Sequence, residues 1–541
     1  MKVGPLGIAL RTCSILGYLK FDQSTAEYTL QTGSELDELM AFLGPEAPTA
    51  QALRKIYADA APPFRLPSTE ASICLQVWAD HRAKWQMSKS KALSILLDGI
   101  VLAPLLTSIA YFARWDEAGL DSGPDSMTQS LRFPNMVTQM GEAACEVLGG
   151  IITELNIGTM SSSGTVALSS KGSLALQRCY SYFVPTSYSP LLSRFKHVLI
   201  EDPSWGFVDM GQDTGEEEEH VNRVLNVVGS GAQHKTLFKD LMRHIHDLFD
   251  SEDFEAQPKF VVDTGCGDGH LLIHIYEHVK AHTLRGRKLD QYPLTMVGVD
   301  FNEESRLTTA LNLNAKGIPF KVVAGDIGKP SDIMTALKKK KVEPKNSLHV
   351  RSFLDHDRPY IAPSKVPDEG SVTARYARAE MADVVHLDKQ GNPISALEVF
   401  ASLVEHFERW GDALEGSYGL CLLEVMMLDV PTTRRFFNDC VSFHFDIVQC
   451  LSRQYMISPP AFAMGAAMVG LFPAKYEQVQ TYPEQGKYCR VVSQRLLRRP
   501  FKIRFAAAAD LDELVRLEEL AWSVSNLRAS RGVLLKRLET S

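Results

Sequence analysis

The residues best suited to chemistry are three glycines at alternate positions, with acids beside them. The segment reads Val261-Val-Asp-Thr-Gly-Cys-Gly-Asp-Gly-His270, so Asp263 stands two positions ahead of Gly265, and Gly267 follows. Glycine lets the backbone turn sharply and approach a ligand closely because no Cβ intervenes. A carboxylate at the end of the preceding strand can accept a hydrogen bond from an amine or hydroxyl of that ligand. A dinucleotide loop would read G-x-G-x-x-G, and this loop reads G-x-G-x-G.

Two further acids close the next two predicted strands. Asp300 ends the apolar run PLTMVGVD, and Asp326 ends FKVVAGD with Ile327 directly after it. An acid at the first of these places can accept hydrogen bonds from both ribose hydroxyls of a nucleoside. Asp326 is suited to an adenine amino group, with Ile327 against the ring. Three acids at three strand ends line one edge of a sheet, where such folds bind ligands.

The elements that position these residues alternate between strand and helix. Short apolar strands are predicted at 259–263, 293–300, 320–326 and 420–428. Helical stretches are predicted between them, at 271–280, 303–316 and 397–410. This alternation predicts an α/β fold, with a parallel sheet and helices on both of its faces.

The chain of 541 residues is about three to four times an ordinary domain length, so more than one domain is expected. Helical periodicity dominates positions 1–250, which predicts a lid or substrate-tunnel domain, with a plain structural cap as the alternative. The sheet-bearing core is expected at 251–482. A turn-rich change after Tyr482 leaves 483–541, with a predicted strand at 501–505 and a helix from Asp510 to Trp522.

Composition excludes several classes of protein. A net charge of −8 lacks the general electrostatic footprint of a nucleic-acid binder. Nine scattered cysteines without a C-x-x-C pair indicate reduced thiols in a cytoplasmic setting. The stretch 92–113 is long enough to span a bilayer, but Asp98 and Pro104 interrupt it. We therefore expect two short buried helices meeting at the proline, and no membrane partner.

The glycine loop and its acids resemble motif I and the following strand ends of S-adenosylmethionine-dependent methyltransferases. The stretches 225–234, 349–360 and 445–455 look like the C-methyltransferase domains of modular polyketide synthases, in particular of loading modules. Such domains stand beside GCN5-related acyltransferase-like domains in apratoxin- and gephyronic acid-type synthases. Residues 503–519 resemble the first strand and helix of that neighbour, cut short. The resemblance implies a class I, Rossmann-like methyltransferase core behind a large N-terminal helical lid domain.

The resemblance also implies an activity: methyl transfer from S-adenosylmethionine, with S-adenosylhomocysteine as product, to the α-carbon of a malonyl- or methylmalonyl-type thioester. The acyl group would be linked through phosphopantetheine to an acyl carrier protein, and neighbouring synthase domains would be further partners in polyketide starter-unit synthesis. A catalytically degenerate carrier-protein-binding scaffold is one alternative. A small-molecule O- or N-methyltransferase is another.

Enolate formation needs a base and donors for the developing oxyanion. His356 is the first choice for either role, because histidine titrates near neutral pH; the alternative is a histidine satisfied in a polar loop. Arg351 or Arg358 could bind a substrate carboxylate through a bidentate fork, or could form a structural ion pair. His234 could close over the methyl donor.

Some relatives of the loading-module group use an iron or manganese ion, and the resemblance suggests which residues would be the ligands of such an ion. Their pattern has a histidine three residues before the serine of a Ser-x-Gln-Tyr stretch, with that glutamine as a second ligand. This sequence has the stretch Ser452-Arg-Gln454-Tyr455, but Gln449 stands where those relatives have the histidine. A second histidine, expected after the fifth strand, is replaced by Met426-Met427. Amide and thioether groups are poor ligands for a hard cation, so no metal is expected, and Gln454 is placed among the catalytic residues. If a metal were bound, its ligands would come from His356, His444, Gln449 and Gln454.

Overall fold

The chain divides into two compact units, each made of three segments. A computed structural model describes residues 1–22, 25, 27–58, 69–118, 130–132, 141–162, 164–206, 219–484, 486–521 and 531–540. The first unit comprises Met1–Lys239, Leu387–Pro393 and Val430–Gln454. The second comprises Asp240–His386, Ile394–Asp429 and Tyr455–Ser541.

The helices and strands of the described residues are as follows. The α-helices are α1 Val3–Ile15, α2 Ser34–Leu43, α3 Pro48–Ala58, α4 Thr69–Gln86, α5 Lys91–Ala118, α6 Glu142–Glu154, α7 Ser170–Ser187, α8 Ser189–Ser193, α9 Phe195–Ile200, α10 Arg223–Phe249, α11 His270–His282, α12 Glu303–Ala315, α13 Pro330–Lys339, α14 Val372–Glu380, α15 Ala396–Ala413, α16 Val430–Arg435, α17 Phe445–Leu451, α18 Pro459–Met468, α19 Leu511–Ala521 and α20 Arg531–Thr540. The strands are β1 Leu19–Asp22, β2 Glu27–Leu30, β3 Ser130–Arg132, β4 Gly158–Met160, β5 Thr165–Leu168, β6 Phe260–Thr264, β7 Thr295–Asp300, β8 Phe320–Ala324, β9 Ser347–Ser352, β10 His386–Leu387, β11 Pro393–Ile394, β12 Leu420–Val425, β13 Leu471–Pro473, β14 Gln480–Tyr482 and β15 Val491–Arg498.

The second unit is built on a large mixed sheet. Its strand order is β13-β15-β12-β9-β6-β7-β8, with β14 added beside β15. The pairs from β12 through β8 are parallel, whereas β15 runs antiparallel to β12, β13 and β14. The order reverses between β6 and β9, and open α/β sheets bind ligands at such a switch point, beyond the carboxyl ends of the strands. The predicted α/β fold with a Rossmann-like core is confirmed.

The sheet differs from the sequence prediction in two places. Strand β9 was not predicted as a strand, because His349 and Arg351 break its apolar run, yet both side chains are fully buried. Strand β15 lies beyond residue 482, so the core sheet does not end at that predicted boundary. The predicted strand at 501–505 is wrong, since that segment forms no strand. The helix predicted after it is present as α19, and Trp522 lies outside the described residues.

The first unit is mainly helical, as expected for the N-terminal region. Its core joins α4, α5, α6 and α7 through buried side chains such as Leu75, Leu97, Leu148 and Phe183. The segment Val430–Gln454, which the sequence analysis assigned to the sheet-bearing core, belongs to this unit instead. The reason is packing, because the short helices α16 and α17 contact α1.

Helix α5 corrects the prediction of two short helices, because it runs unbroken with Pro104 inside it. Within it, Lys91–Tyr111 is long and apolar enough to cross a membrane, with a mean hydropathy of 2.0. Half of that span is buried inside the protein, and Leu97, Val101 and Leu105 are fully buried in the core. A buried core helix can have the same length and hydropathy as a membrane-spanning helix.

Candidate active site

The glycine loop after β6 has the shape that its sequence predicts. Gly265 and Gly267 have φ values of +74° and +52°, a region that side chains disfavour. A Cβ on Gly265 would lie 2.8 Å from a methyl carbon of Leu354. A Cβ on Gly267 would meet no atom of the described residues within 4 Å. Gly265 is therefore needed for packing against the loop after β9, whereas Gly267 faces open space that a ligand can enter.

Neighbouring side chains hold this loop in place. Asp300 Oδ2 accepts a hydrogen bond from Gly267 N at 3.1 Å. From helix α12, Thr309 Oγ1 donates to Gly267 O at 2.9 Å, and Asn312 Nδ2 donates to Asp268 O at 2.9 Å. The sequence analysis missed Thr309 and Asn312. In the sequence they appear only as two polar residues three positions apart on the helix that follows Asp300, which does not indicate that they contact the glycine loop.

Asp263 and Asp300 form an acidic, mostly buried pair of strand ends. Asp263 is 2% exposed, and its Oδ1 has no hydrogen-bond donor among the described residues. Burial, and then the charges of Asp300 and Asp268, raise the pKa of Asp263 well above its usual range. Burial likewise raises the pKa of Asp300, which is 7% exposed. A cationic ligand group beside Asp263 would relieve both the missing hydrogen bond and the cost of its charge.

The third strand end is arranged differently. Asp326 is half-buried, and its Oδ1 accepts a hydrogen bond from Gly328 N at 2.8 Å. Ile327 is buried in the hydrophobic core, and its carbonyl accepts a hydrogen bond from Trp410 Nε1 at 2.9 Å. Only 7% of Ile327 is exposed. Contacts of these two residues with an adenine ring therefore stay a prediction.

His356 forms a buried dyad with Glu424 where β9 and β12 end side by side. His356 Nδ1 lies 2.6 Å from Glu424 Oε1. Glu424 also accepts hydrogen bonds from Asp355 N at 2.6 Å and Val425 N at 2.8 Å, so its carboxylate is fixed in orientation. Burial opposes protonation of His356, but the charge and hydrogen bond of Glu424, together with the charges of Asp357 and Asp355, outweigh it, and the pKa of His356 is raised. A histidine held through Nδ1 keeps Nε2 for proton transfer.

Glu424, the buried partner of His356, is a residue that the sequence analysis missed. It stands in the run LCLLEVMML, which was interpreted only as an apolar strand, with attention on Met426-Met427. Its signal was a single carboxylate inside an otherwise apolar strand. A charged group there requires a partner, and the sequence does not say which residue supplies it.

The structure favours the structural role for Arg351. Its side chain is fully buried, and Nη2 pairs with Asp355 Oδ1 at 2.7 Å. The guanidinium carbon lies 4.6 Å from the centre of the Trp410 ring. Asp355 Oδ1 also lies 3.1 Å from His406 Nε2. Burial alone would raise the pKa of Asp355, but Arg351, His406 and Arg358 together outweigh it and lower that pKa to about 2.

Arg358 is held in the same way. It is 3% exposed, and its Nη1 donates to the carbonyls of Asp355 at 2.7 Å and Tyr455 at 3.1 Å. Burial lowers its pKa to about 10. Arg358 is thus engaged by backbone carbonyls, whereas Arg351 pairs with Asp355 but has Nε and Nη1 without a hydrogen-bond partner among the described residues. Both arginines contact Asp355, directly before His356. Binding of a substrate carboxylate by Arg351 or Arg358 stays a prediction.

Gln454 and Gln449 belong to the first unit. Gln454 Nε2 donates to Tyr188 Oη at 3.0 Å and to Ser452 Oγ at 3.2 Å. Gln449 is 8% exposed, and no described residue donates to its Oε1. The amide of Gln454 is thus held by two hydroxyl groups, whereas Gln449 keeps a buried oxygen without a donor among the described residues. The catalytic role of Gln454 stays a prediction.

Two predicted histidines fall where side chains are not described. His234 lies in α10, and His444 ends the short 3₁₀ turn Val441–His444, but both side chains are outside the described part. Across the described ranges, no group of three or more histidine, cysteine or acidic side chains is placed to hold a metal ion.

The comparisons with known proteins agree with this geometry. The family model for the AprA MT2-like domain, a methyltransferase family, matches residues 218–494. Loganic acid methyltransferase with SAH is a similar solved structure, with 14% identity and a TM-score of 0.28, covering 47% of this chain and 76% of that one. A SAM-dependent methyltransferase from Aquifex aeolicus shows 11% identity and a TM-score of 0.23, covering 48% and 89%. No curated protein matches. Structural similarities at this level add nothing to the family match.

The site fits the cofactor of that family. S-adenosylmethionine carries cationic groups and a ribose. The second unit offers the carboxyl of Asp263, whose Oδ1 has no donor among the described residues, the open space at Gly267 and the carboxylate of Asp300. These residues would hold the cofactor. The matched span covers more than half of the 541 residues and contains both the glycine loop and the His356–Glu424 dyad. The chain therefore belongs to the AprA MT2-like family of S-adenosylmethionine-dependent methyltransferases.

Proposed function

We propose that the protein is a C-methyltransferase that acts on the α-carbon of a malonyl- or methylmalonyl-type thioester. The observation that carries this proposal is the His356–Glu424 dyad. Its imidazole is held 2.6 Å from a buried carboxylate, and it follows Leu354, which packs against the glycine loop at Gly265. A base fixed beside the cofactor loop is what deprotonation of a carbon acid requires.

The proposed chemistry divides between the substrate and this dyad. His356 Nε2 accepts the α-proton, the C–H bond breaks, and the electron pair remains on the substrate as an enolate. Glu424 stabilises the imidazolium that results, because its carboxylate is buried and paired with Nδ1. When bound, S-adenosylmethionine supplies an electrophilic methyl group. The α-protons of a thioester flanked by a second carbonyl are already acidic, so one positioned base suffices.

The carrier-protein part of the proposal rests on the sequence resemblance. The stretches 225–234, 349–360 and 445–455 resemble loading-module C-methyltransferase domains, and 503–519 resembles the start of an acyltransferase-like neighbour. A phosphopantetheine-linked acyl group on an acyl carrier protein, in starter-unit synthesis, is the substrate that this resemblance supports.

A small-molecule O-methyltransferase is the second candidate, because a histidine paired with a buried carboxylate also deprotonates hydroxyl groups. The two candidates differ in the atom that receives the methyl group. A scaffold without activity is less well supported, since the dyad and the acids of the glycine loop are all retained.

Intact-mass analysis separates these functions. Malonyl- and methylmalonyl-carrier protein are incubated with S-adenosylmethionine and the wild-type protein, or with His356→Ala. We expect the acyl group to gain methyl groups with wild type only, and fragmentation to place them on the α-carbon. A parallel reaction with a chelator should proceed at the same rate. Unmodified carrier proteins, or methylation on oxygen, would overturn the proposal.

A further inference from the structure

A pocket lies within the first unit, away from the glycine loop in sequence. It has a volume of about 510 Å³ and opens to solvent. Its apolar lining comes from Leu19 and Phe21 of β1 and from Val430 and Pro431 at the start of α16, and its cationic lining comes from Arg434 and Arg435 at the end of α16. The volume is within the range of small-molecule sites. Its lining combines an apolar surface with two adjacent positive charges.

The two arginines are available to a ligand. Both are exposed, and among the described residues neither forms an ion pair with a carboxylate; the guanidinium carbon of Arg435 lies 5.3 Å from the centre of the Phe436 ring. Arg434 lies against the backbone of Gly17, where a Cβ would come within 3.0 Å of its Nη2. Gly17 has a φ of +91° and leaves room for the guanidinium. Packing thus defines the position of the Arg434 guanidinium, although no described residue gives it an anionic partner.

A buried hydroxyl supports the same site independently. Ser14 lines the pocket and is 1% exposed, and its Oγ has no hydrogen-bond partner among the described residues. A buried polar atom without a partner costs free energy, which a ligand oxygen would recover. Lys20 lines the pocket as well, but it is exposed while its strand neighbours Leu19 and Phe21 are half-buried.

We infer that this pocket binds an organic phosphate, with the phosphate on Arg434 and Arg435 and the apolar part on Phe21 and its neighbours. Two guanidinium groups and a hydroxyl offer more donors than the two oxygens of a carboxylate readily accept, whereas a phosphate ester, monoester or diester, places four oxygens around one phosphorus and carries negative charge on its terminal oxygens. The apolar floor would bind the organic part by excluding water from it. This inference does not rest on the proposed methyl transfer.

Such a phosphate has two sources, a free phosphorylated metabolite and the phosphodiester arm of a carrier protein. Phenyl phosphate represents the monoester, and methyl phenyl phosphate represents the diester. Tighter binding of phenyl phosphate assigns the site to a free metabolite. Equal or tighter binding of the diester assigns it to a carrier arm.

The test is calorimetric titration of the full chain with these probes. We expect saturable binding of phenyl phosphate, at least tenfold tighter than that of inorganic phosphate or of phenol, because each lacks half of the ligand. Arg434→Gln with Arg435→Gln should weaken it tenfold or more. The matched control removes two exposed lysines of the same unit that lie away from the pocket, Lys171→Gln with Lys196→Gln, and should leave binding within twofold.

Three results would overturn the inference. These are the absence of saturable binding, equal binding of inorganic phosphate and phenyl phosphate, and equal losses in the arginine and lysine double variants. Circular dichroism of each variant checks that the fold is intact. A variant with Ser14→Ala gives a second reading, since it removes the buried hydroxyl without altering charge, and should weaken the phosphate ester but not phenol.

Discussion

Two neighbouring parts of the carboxyl-terminal edge of the sheet handle charge in opposite ways. We call the first part the cofactor edge, after the cofactor it would hold; it consists of Asp263, Gly265, Gly267 and Asp300 at the ends of β6 and β7. We call the second part the catalytic edge, after the role proposed for His356; it consists of the segment Arg351–Arg358 and Glu424 at the ends of β9 and β12. On the catalytic edge, buried acids are paired with buried bases. On the cofactor edge, Asp263 keeps an oxygen without a donor among the described residues.

The difference indicates which group each edge can accommodate. An unpartnered buried carboxyl is costly, and it persists where a ligand supplies the missing partner. A buried histidine whose acid is held by three donors is already in its working orientation. The cofactor edge is thus shaped to receive a cation, and the catalytic edge is shaped to hold one base still. Variants on the two edges should therefore have separable effects.

The largest effect is expected from His356→Ala on the catalytic edge. Loss of a general base typically slows a reaction by about 10²- to 10⁴-fold, so methyl transfer should fall within that range. Cofactor affinity should stay near normal, because the residues expected to bind the cofactor lie on the other edge. Steady-state kinetics measures the rate of methyl transfer, and calorimetry on the same preparation measures cofactor affinity. A parallel loss of cofactor affinity would show that the two edges are not separate.

Glu424→Gln should have a smaller effect with a distinctive pH dependence. We expect a loss of about 10- to 100-fold, because the base remains but its positioning carboxylate does not. Glu424 raises the pKa of His356, so its removal lowers that pKa, and the acidic limb of the rate profile should move to lower pH. The profile of kcat/KM against pH tests this. An unmoved limb would assign Glu424 a purely structural role.

A matched pair of glycine variants sharpens the comparison. Gly267→Ala and Gly265→Ala share the cost of a positive φ, about 1–2 kcal/mol each. At Gly267 the new methyl group meets only what is bound, so cofactor affinity should fall about tenfold with kcat little changed. At Gly265 it displaces Leu354, two residues before His356, so kcat should fall too. Equal kcat values in the two variants would contradict this assignment.

The smallest expected effect is the release of a proton from Asp263 when the cofactor binds. The pKa of Asp263 is raised in the free protein, and a cation beside it favours the ionised form, so binding lowers the pKa and releases up to about one proton. Release should disappear once the pH exceeds the raised pKa, because the carboxyl is then already ionised. Calorimetry in buffers of different ionisation enthalpy, from about pH 5 to 8, measures it. Asp263→Asn is the control and should release none.

The same comparison explains what the sequence could predict. The placement of Asp263, the glycine loop and Asp300 at neighbouring strand ends could be predicted, because these residues lie within ten positions of one another or directly end an apolar strand. Their binding of the cofactor stays a prediction. The dyad was not found, because His356 and Glu424 are 68 positions apart and meet only through adjacent strands. Strand β9 was missed since burial of Arg351 depends on Asp355 and Trp410, which sequence periodicity does not show. Likewise, the segment 430–454 follows a core strand but packs in the other unit.

Exchange of the substrate α-proton with deuterated water tests the central claim most directly. The protein is mixed with a methylmalonyl thioester and S-adenosylhomocysteine, so that methyl transfer is impossible and only the base can act. We expect wild type to incorporate one deuterium at the α-carbon well above the solvent background, and His356→Ala to match that background. Exchange by His356→Ala at the wild-type rate would contradict the claim that His356 is the base.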